Sequence, residues 1–423
     1  MSFQTSARAA SSPKAVVAAL ATASFLQWTG AAAVLPLLPL FLKDRGSSEG
    51  LIGAVMAAYF VGAFVAQYLA GRLSDRIGHR TVLLVGLVGY AVASFGFLLD
   101  VSGPGYLVLR GLQGAFAGGA QVAMLALVAR SVRVDLRGRA FAAVYGGELA
   151  GVAIGPILGT AVGLRNMAEL FVVSSLGALL AGVPVLLARL RPTGAAEAAD
   201  AAAARLDWTG WRGRVLVGVL VAAVVGGVLT GVYDATWTLL LDHRGAVEWQ
   251  IGLSWTLWAI PFVVVTPLAG WLADHHDRRV LVIGAIGSSI FFAALYPFIS
   301  SLPWLIGLGA LESVGVAMAM PAAQSLLAQA APEAGAGRAM GLFASIQTAA
   351  IAASAAVSGA LFAIAPWVPF VAVAVVSALL AAALPVVWRG VQGRVPRPVA
   401  PVADGVTEDR RPVAVLADER LAG

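Results

Sequence analysis

Gly71-Arg-Leu-Ser-Asp-Arg-Ile-Gly-His-Arg80 lies between two long apolar runs, and the chain repeats it in worn form as Gly270-Trp-Leu-Ala-Asp-His-His-Asp-Arg-Arg279, 199 residues later. Other pairs keep that spacing: Arg45-Gly46 with Arg244-Gly245, Ile52-Gly53 with Ile251-Gly252, Pro104 with Pro303, and Gly138-Arg139-Ala140 with Gly337-Arg338-Ala339. One offset held over so much chain marks an internal duplication.

What is duplicated is a membrane module. Hydrophobic residues make up 60% of the 423 and charged residues 12%, against about 45–50% and about 25% in soluble domains. A bilayer core takes about 20 apolar residues per helix. That rule places twelve spans near 15–42, 51–73, 80–99, 104–130, 138–163, 167–190, 214–241, 251–273, 279–300, 303–330, 339–364 and 366–389. The runs are too long and continuous for the alternation of a β-barrel. The expected fold is therefore an all-α membrane protein with twelve transmembrane helices in two six-helix pseudo-repeats. Its parts are an N-terminal bundle at 1–190, a polar linker at 191–213, a C-terminal bundle at 214–389 and a Pro-rich, disordered tail at 390–423. The first apolar run is too long for a signal peptide and is read as a retained helix.

With both termini cytoplasmic, 23 of the 28 Lys and Arg fall inside, four outside (Lys43, Arg45, Arg165, Arg244) and one, Arg110, within a span. That asymmetry orients the chain in the cell's inner membrane by the positive-inside rule. It also explains the basic balance without a nucleic-acid partner. There is no cysteine, and the four histidines lie in loops without metal-ligand spacing. Neither Lys14 nor Lys43 sits in a phosphate-cradling Gly-rich loop, so no ATPase site is present. The reading is a transporter rather than an enzyme, acting as a monomer, with no cofactor or metal.

The decapeptide at 71–80 is similar to the signature loop between the second and third helices of the major facilitator superfamily, and the resemblance runs from about residue 15 to 389. Glycines at 71 and 78 relieve a tight turn, while Asp75, Arg76 and Arg80 carry charge that can pair with helix ends. The resemblance implies a conformational latch made by Gly71, Asp75, Arg76, Gly78 and Arg80. A second copy at Gly270, Asp274, Arg278 and Arg279 departs from the pattern at His275 and Asp277. Arg130 stands where family members commonly carry an acid.

The fifth span reads Gly147-Glu148-Leu-Ala-Gly151-Val-Ala-Ile-Gly155-Pro156-Ile-Leu-Gly159-Thr160. Gly151, Gly155 and Gly159 recur every four residues and form a flat face for close helix approach, and Pro156 removes one backbone hydrogen bond. This stripe resembles the Gly-Pro signature of the drug:proton antiporters within the superfamily, with Thr160 in place of a last glycine. Glu148 shares the face of Gly151 and Gly155. A carboxylate at that depth is costly to hold charged, which makes Glu148, with Glu312 and Asp234, a candidate for proton coupling. Arg110, in a stretch similar to another family signature, is either a member of that set or a structural arginine capped by backbone carbonyls. At the 199-residue offset Glu312 matches Gln113 and Glu148 matches Gln347, so the halves exchange acid for amide.

Candidate substrate contacts are Gln27, Trp28, Tyr59, Gln113, Tyr233, Trp237, Trp258 and Gln347, because spans that line the path in this family carry them. Together these imply proton-coupled efflux of lipophilic small molecules, such as drugs or secondary metabolites, by alternating access. The other reading on the same fold is proton-coupled movement of a sugar, lipid or other metabolite.

Overall fold

Serine hydroxyls start the first long helices. The Ser12 oxygen accepts from the Ala15 N–H and the Ser48 oxygen from the Leu51 N–H, satisfying donors that have no partner inside the helix. Glycines end others: Gly78 and Gly163, with φ of 93° and 89°, close their helices in a backbone region that side chains avoid. The computed structural model describes residues 12–99, 101–188, 208–331, 336–391 and 393, with backbone alone at 134, 135, 266, 267, 274, 336 and 337.

The described residues form helices without strands. In the first half they are α1 (Pro13–Val34), α2 (Leu38–Asp44), α3 (Glu49–Ile77), α4 (His79–Gly96), α5 (Gly103–Ser131), α6 (Val134–Val162) and α7 (Met167–Leu187). The second half has α8 (Gly210–His243), α9 (Glu248–His275), α10 (Arg278–Leu295), α11 (Leu302–Ala330), α12 (Ala336–Ile364), α13 (Val368–Ala381) and α14 (Leu384–Val387). Eleven stretches of the described residues are long and apolar enough to cross a membrane. The 28-residue α9 occupies the position of the eighth expected span.

Two expected spans are broken. The run at 15–42 splits into α1 and α2 around Pro36, and the run at 366–389 splits into α13 and α14 ahead of Pro385. Proline lacks the N–H that continues a helix, and its ring crowds the carbonyl one turn earlier. Of the linker expected at 191–213, residues 191–207 lie outside those described, and α8 already begins at Gly210. The tail expected from 390 is docked at its start. Trp388 and Val391 are 2% and 3% exposed, and the Gly393 carbonyl accepts from the Arg278 N–H.

The duplication is built into the packing. α1 packs on α6 and α7, α3 on α5, and α4 on α5 and α7; in the second half α8 packs on α12 and α13, α9 on α11, and α10 on α11 and α13. Helix starts obey the same 199-residue offset: Glu49 with Glu248, His79 with Arg278, Gly103 with Leu302. The halves meet where α3 crosses α12 and α6 crosses α9. A Cβ on Gly53 would lie 2.7 Å from the Gly359 nitrogen and 2.8 Å from the Ala355 oxygen. One on Gly252 would lie 2.0 Å from Thr160 Oγ1 and 2.8 Å from the Pro156 oxygen, which are the offset mates of those contacts. Thr160 thus stands where the other half has Gly359.

Candidate functional site

The glycine stripe of α6 lies directly on the backbone of α1. A Cβ at Gly159 would come within 1.9 Å of the Ala33 oxygen, one at Gly155 within 2.8 Å of the Thr29 oxygen, and one at Gly151 within 2.8 Å of the Phe25 oxygen. Gly147 extends the stripe by one turn, and a Cβ there would lie 2.3 Å from the Ala21 oxygen. This contact sets Glu148 against the side chains that α1 turns the same way. Gln27, Trp28, Tyr59 and Glu148 line one small cavity, with Gln121 and Tyr145 beside them. The sequence reading had named the first four. Gln121 and Tyr145 are not among the residues the sequence singles out, although Gln121 shares a span with Gln113 and Tyr145 one with Glu148.

Arg110 stands behind the cavity wall. It is 6% exposed; its guanidinium lies 4.6 Å from the centre of the Tyr59 ring and donates 2.9 Å to Gln113 Oε1. The Gln113 amide donates onward to Ser94 at 2.8 Å. Gln113 therefore spends its side chain on Arg110 and Ser94. Arg110 Nε has no hydrogen-bond partner, an uncommon expense for a buried N–H, and the π face of Tyr59 offsets part of it. Tyr59 lies within electrostatic reach of Arg110, Glu148 and, from the other half, Asp234. Arg110 also acts on Asp234 across the interface.

Glu312 belongs to a separate node. It is 2% exposed and accepts from the Tyr233 hydroxyl at 3.0 and 3.3 Å and from the Tyr296 hydroxyl at 2.6 Å. Tyr233, expected at the substrate, is thereby bound to the acid. Trp237 is 9% exposed, donates 3.1 Å to Ser254, and packs 5.0 Å from the Tyr296 ring. Trp258 packs 4.8 Å from Phe262, and Gln347 lies where α12 crosses α8, its amide 3.6 Å from a Cβ placed on Gly226. The three acids do not share one chamber.

At the end bearing the decapeptide, Asp75 pairs with Arg130 at 3.3 Å and with His79 at 3.8 Å, both within its own half. Arg130, at the position where the family resemblance implies an acid, thus answers Asp75, while Arg76 is exposed. Arg80 donates 2.7 Å to the Leu186 carbonyl. Nothing lies within 4 Å of a Cβ on Gly71 or Gly270, so neither is required by packing. The Asp274 side chain lies outside the described residues. Arg278 Nε donates 2.9 Å to the Ala273 carbonyl. Arg279 holds Asp277 at 2.5 Å and donates to the Trp388 carbonyl at 3.2 Å. The second copy of the motif thus binds the chain's own C-terminal segment.

The opposite end is where contacts join the halves. Lys43 meets Asp242 at 2.7 Å, and Glu248 accepts 2.9 Å from the Leu164 N–H. Thr256 of α9 donates 2.8 Å to the Ala153 carbonyl of α6. Lys43 and Asp242 are offset mates, and a residue that touches its own repeat mate must lie near the axis relating the repeats.

Comparison with known proteins agrees with this architecture. The chain is 26% identical over 318 residues to the multidrug resistance protein MdtG of Proteus mirabilis (strain HI4320), covering 72% of this chain and 78% of that protein. It is 36% identical over 129 residues to a chloramphenicol resistance protein of Pseudomonas aeruginosa, covering 30% and 31%. Its fold matches a crystal structure of a POT family transporter with a thioalcohol-conjugated peptide at a TM-score of 0.74 and 12% identity, covering 88% and 95%. It also matches a bacterial homologue of the human lysosomal transporter Spinster, inward-facing and unoccupied, at 0.70 and 10%, covering 89% and 97%. The model of the Major Facilitator Superfamily matches residues 20–245 and 219–417, nearly the whole length over which the two six-helix repeats extend, and the chain belongs to that superfamily of multi-pass membrane transporters.

Proposed function

We propose that the protein exports lipophilic small molecules in exchange for protons, with both termini cytoplasmic. The observation that carries this reading is the cavity of the first half: aromatic walls from Trp28, Tyr59 and Tyr145 around one carboxyl group, Glu148. Aromatic faces take up a lipophilic body, and a single acid supplies both a proton and an attraction for positive charge. The names of relatives, a multidrug and a chloramphenicol resistance protein, point the same way. Glu148 is the one charged group among the residues lining this cavity, so the path favours lipophilic cations over anions of similar size. A cation that displaces the proton from a shared acid couples the two fluxes.

The test is a fluorescent lipophilic cation in everted vesicles carrying an imposed proton gradient. Uptake that alkalinises the lumen, and that Glu148→Gln abolishes while leaving substrate binding, is expected. Uptake indifferent to the gradient, or equal inhibition by lipophilic anions, contradicts the reading. Orientation has its own check, because the chain holds no cysteine. Ala195→Cys should resist impermeant thiol reagents in intact cells, and ready labelling reverses the topology.

A further inference from the structure

We infer that Tyr296 is a positioning residue that lets Glu312 both hold and release a proton while buried. The inference rests on the proton-coupled reading above and deepens it. A buried carboxyl group usually suits one protonation state, because partners that satisfy the anion leave the acid's O–H without an acceptor. Here the arrangement serves both. The Tyr296 hydroxyl lies 2.6 Å from Glu312 Oε2 and 3.3 Å from the Leu308 carbonyl, one helical turn before Glu312. It has one proton and two acceptors. With Glu312 ionised, that proton points to the carboxylate. With Glu312 protonated, the acid donates to the phenol oxygen and the phenol proton turns to Leu308, whose carbonyl has a second lone pair. One proton enters or leaves Glu312, the phenol rotates, and no polar group is stranded in either state.

Besides the two tyrosines, Ser289 of α10 hydrogen-bonds Glu312. Within the membrane depth, the titratable groups on elements packed against α11 are Tyr233 and Asp234 of α8 and Tyr296 after α10. α9 has none between Glu248 and Asp274, α10 none beyond Arg279, and α12 none beyond Arg338. Tyr233 touches both carboxyl oxygens and, unlike Glu312, keeps partial exposure. The first half puts Gln113, an amide that cannot titrate, at the matching position, so this device belongs to the second half alone.

Tyr296→Phe keeps the ring that packs against Trp237 and Phe292 and removes only the hydroxyl. In pH-difference infrared spectra of the purified protein, a protonated-carboxyl carbonyl band that disappears in Glu312→Gln reports this acid directly. In Tyr296→Phe the band should shift in frequency and its midpoint should move by about half a pH unit or more. Adding Tyr296→Phe to Glu312→Gln should change nothing further in the carboxyl region. A band with unaltered frequency and midpoint in Tyr296→Phe overturns the inference, as does the absence of any band that Glu312→Gln removes. Failure of the transport reading is separate: vesicles that move substrate without protons while the band behaves as described would refute coupling and leave the Tyr296 assignment standing.

Discussion

Asp75 keeps 60% of its side chain exposed while it pairs with Arg130, and exposed ion pairs are worth only about 0.2–1 kcal/mol. We propose that its contribution lies in conformational balance rather than stability. Asp75→Asn should leave the melting temperature in detergent nearly unchanged and slow transport severalfold, because a small bias between two states changes how often each is visited. Transport at the wild-type rate would remove Asp75 from the latch. Arg80 differs in kind. Its bond to Leu186 ties the turn to α7, so it fixes the loop whichever state the halves adopt.

Between helices, the α6 stripe decides geometry by absence of side chain. At Gly159 even one methyl would overlap the Ala33 carbonyl, and overpacking costs about 1–3 kcal/mol where a backbone has to move. Gly159→Ala should lower thermal stability by that order, whereas Gly71→Ala, with open space around it, should leave stability unchanged. A Gly159→Ala protein that melts like the wild type would mean that α1 and α6 can separate freely. If Gly71→Ala instead slows transport without a stability loss, its glycine is needed when the halves rearrange. The C-terminal segment adds a second control on helix position. Arg279 and Arg214 each hold a carbonyl in it, at Trp388 and Arg389, and strap it to the ends of α10 and α8.

Over the whole molecule, the contacts at the Lys43–Asp242 end describe one conformation of an alternating pair. A Cβ placed on Gly50 lies 3.8 Å from the Ala360 Cβ, within the spacing a disulfide accepts, about 3.5–4.5 Å. Gly50→Cys with Ala360→Cys, oxidised in this cysteine-free chain, should join α3 to α12, stop transport, and recover on reduction. Unimpeded transport by the fully cross-linked protein would show that this end does not open during the cycle. Two contacts work alongside: Lys43→Ala and Glu248→Gln together should ease opening there and raise labelling of cysteines placed at that end.

The class of fold was legible without coordinates, since long apolar runs in water-poor surroundings have only helices available to satisfy their backbones, and the worn copy of residues 71–80 gave the duplication. The same 199-residue spacing named the amide–acid exchange between Gln113 and Glu312. Sequence periodicity likewise put Glu148 on the stripe of α6, because a helix fixes which residues share a face. What it could not settle was which faces meet. Gln27 and Glu148 come together because α6 glycines let α1 approach, and Tyr233 meets Glu312 because packing brings it and Tyr296, far apart in the chain, to the same acid. Arg130 takes Asp75, and the second motif copy takes the chain's own end, by the same logic. Local sequence determines a helix and its faces; the partner of a buried charge is chosen only when distant helices pack and leave it no other.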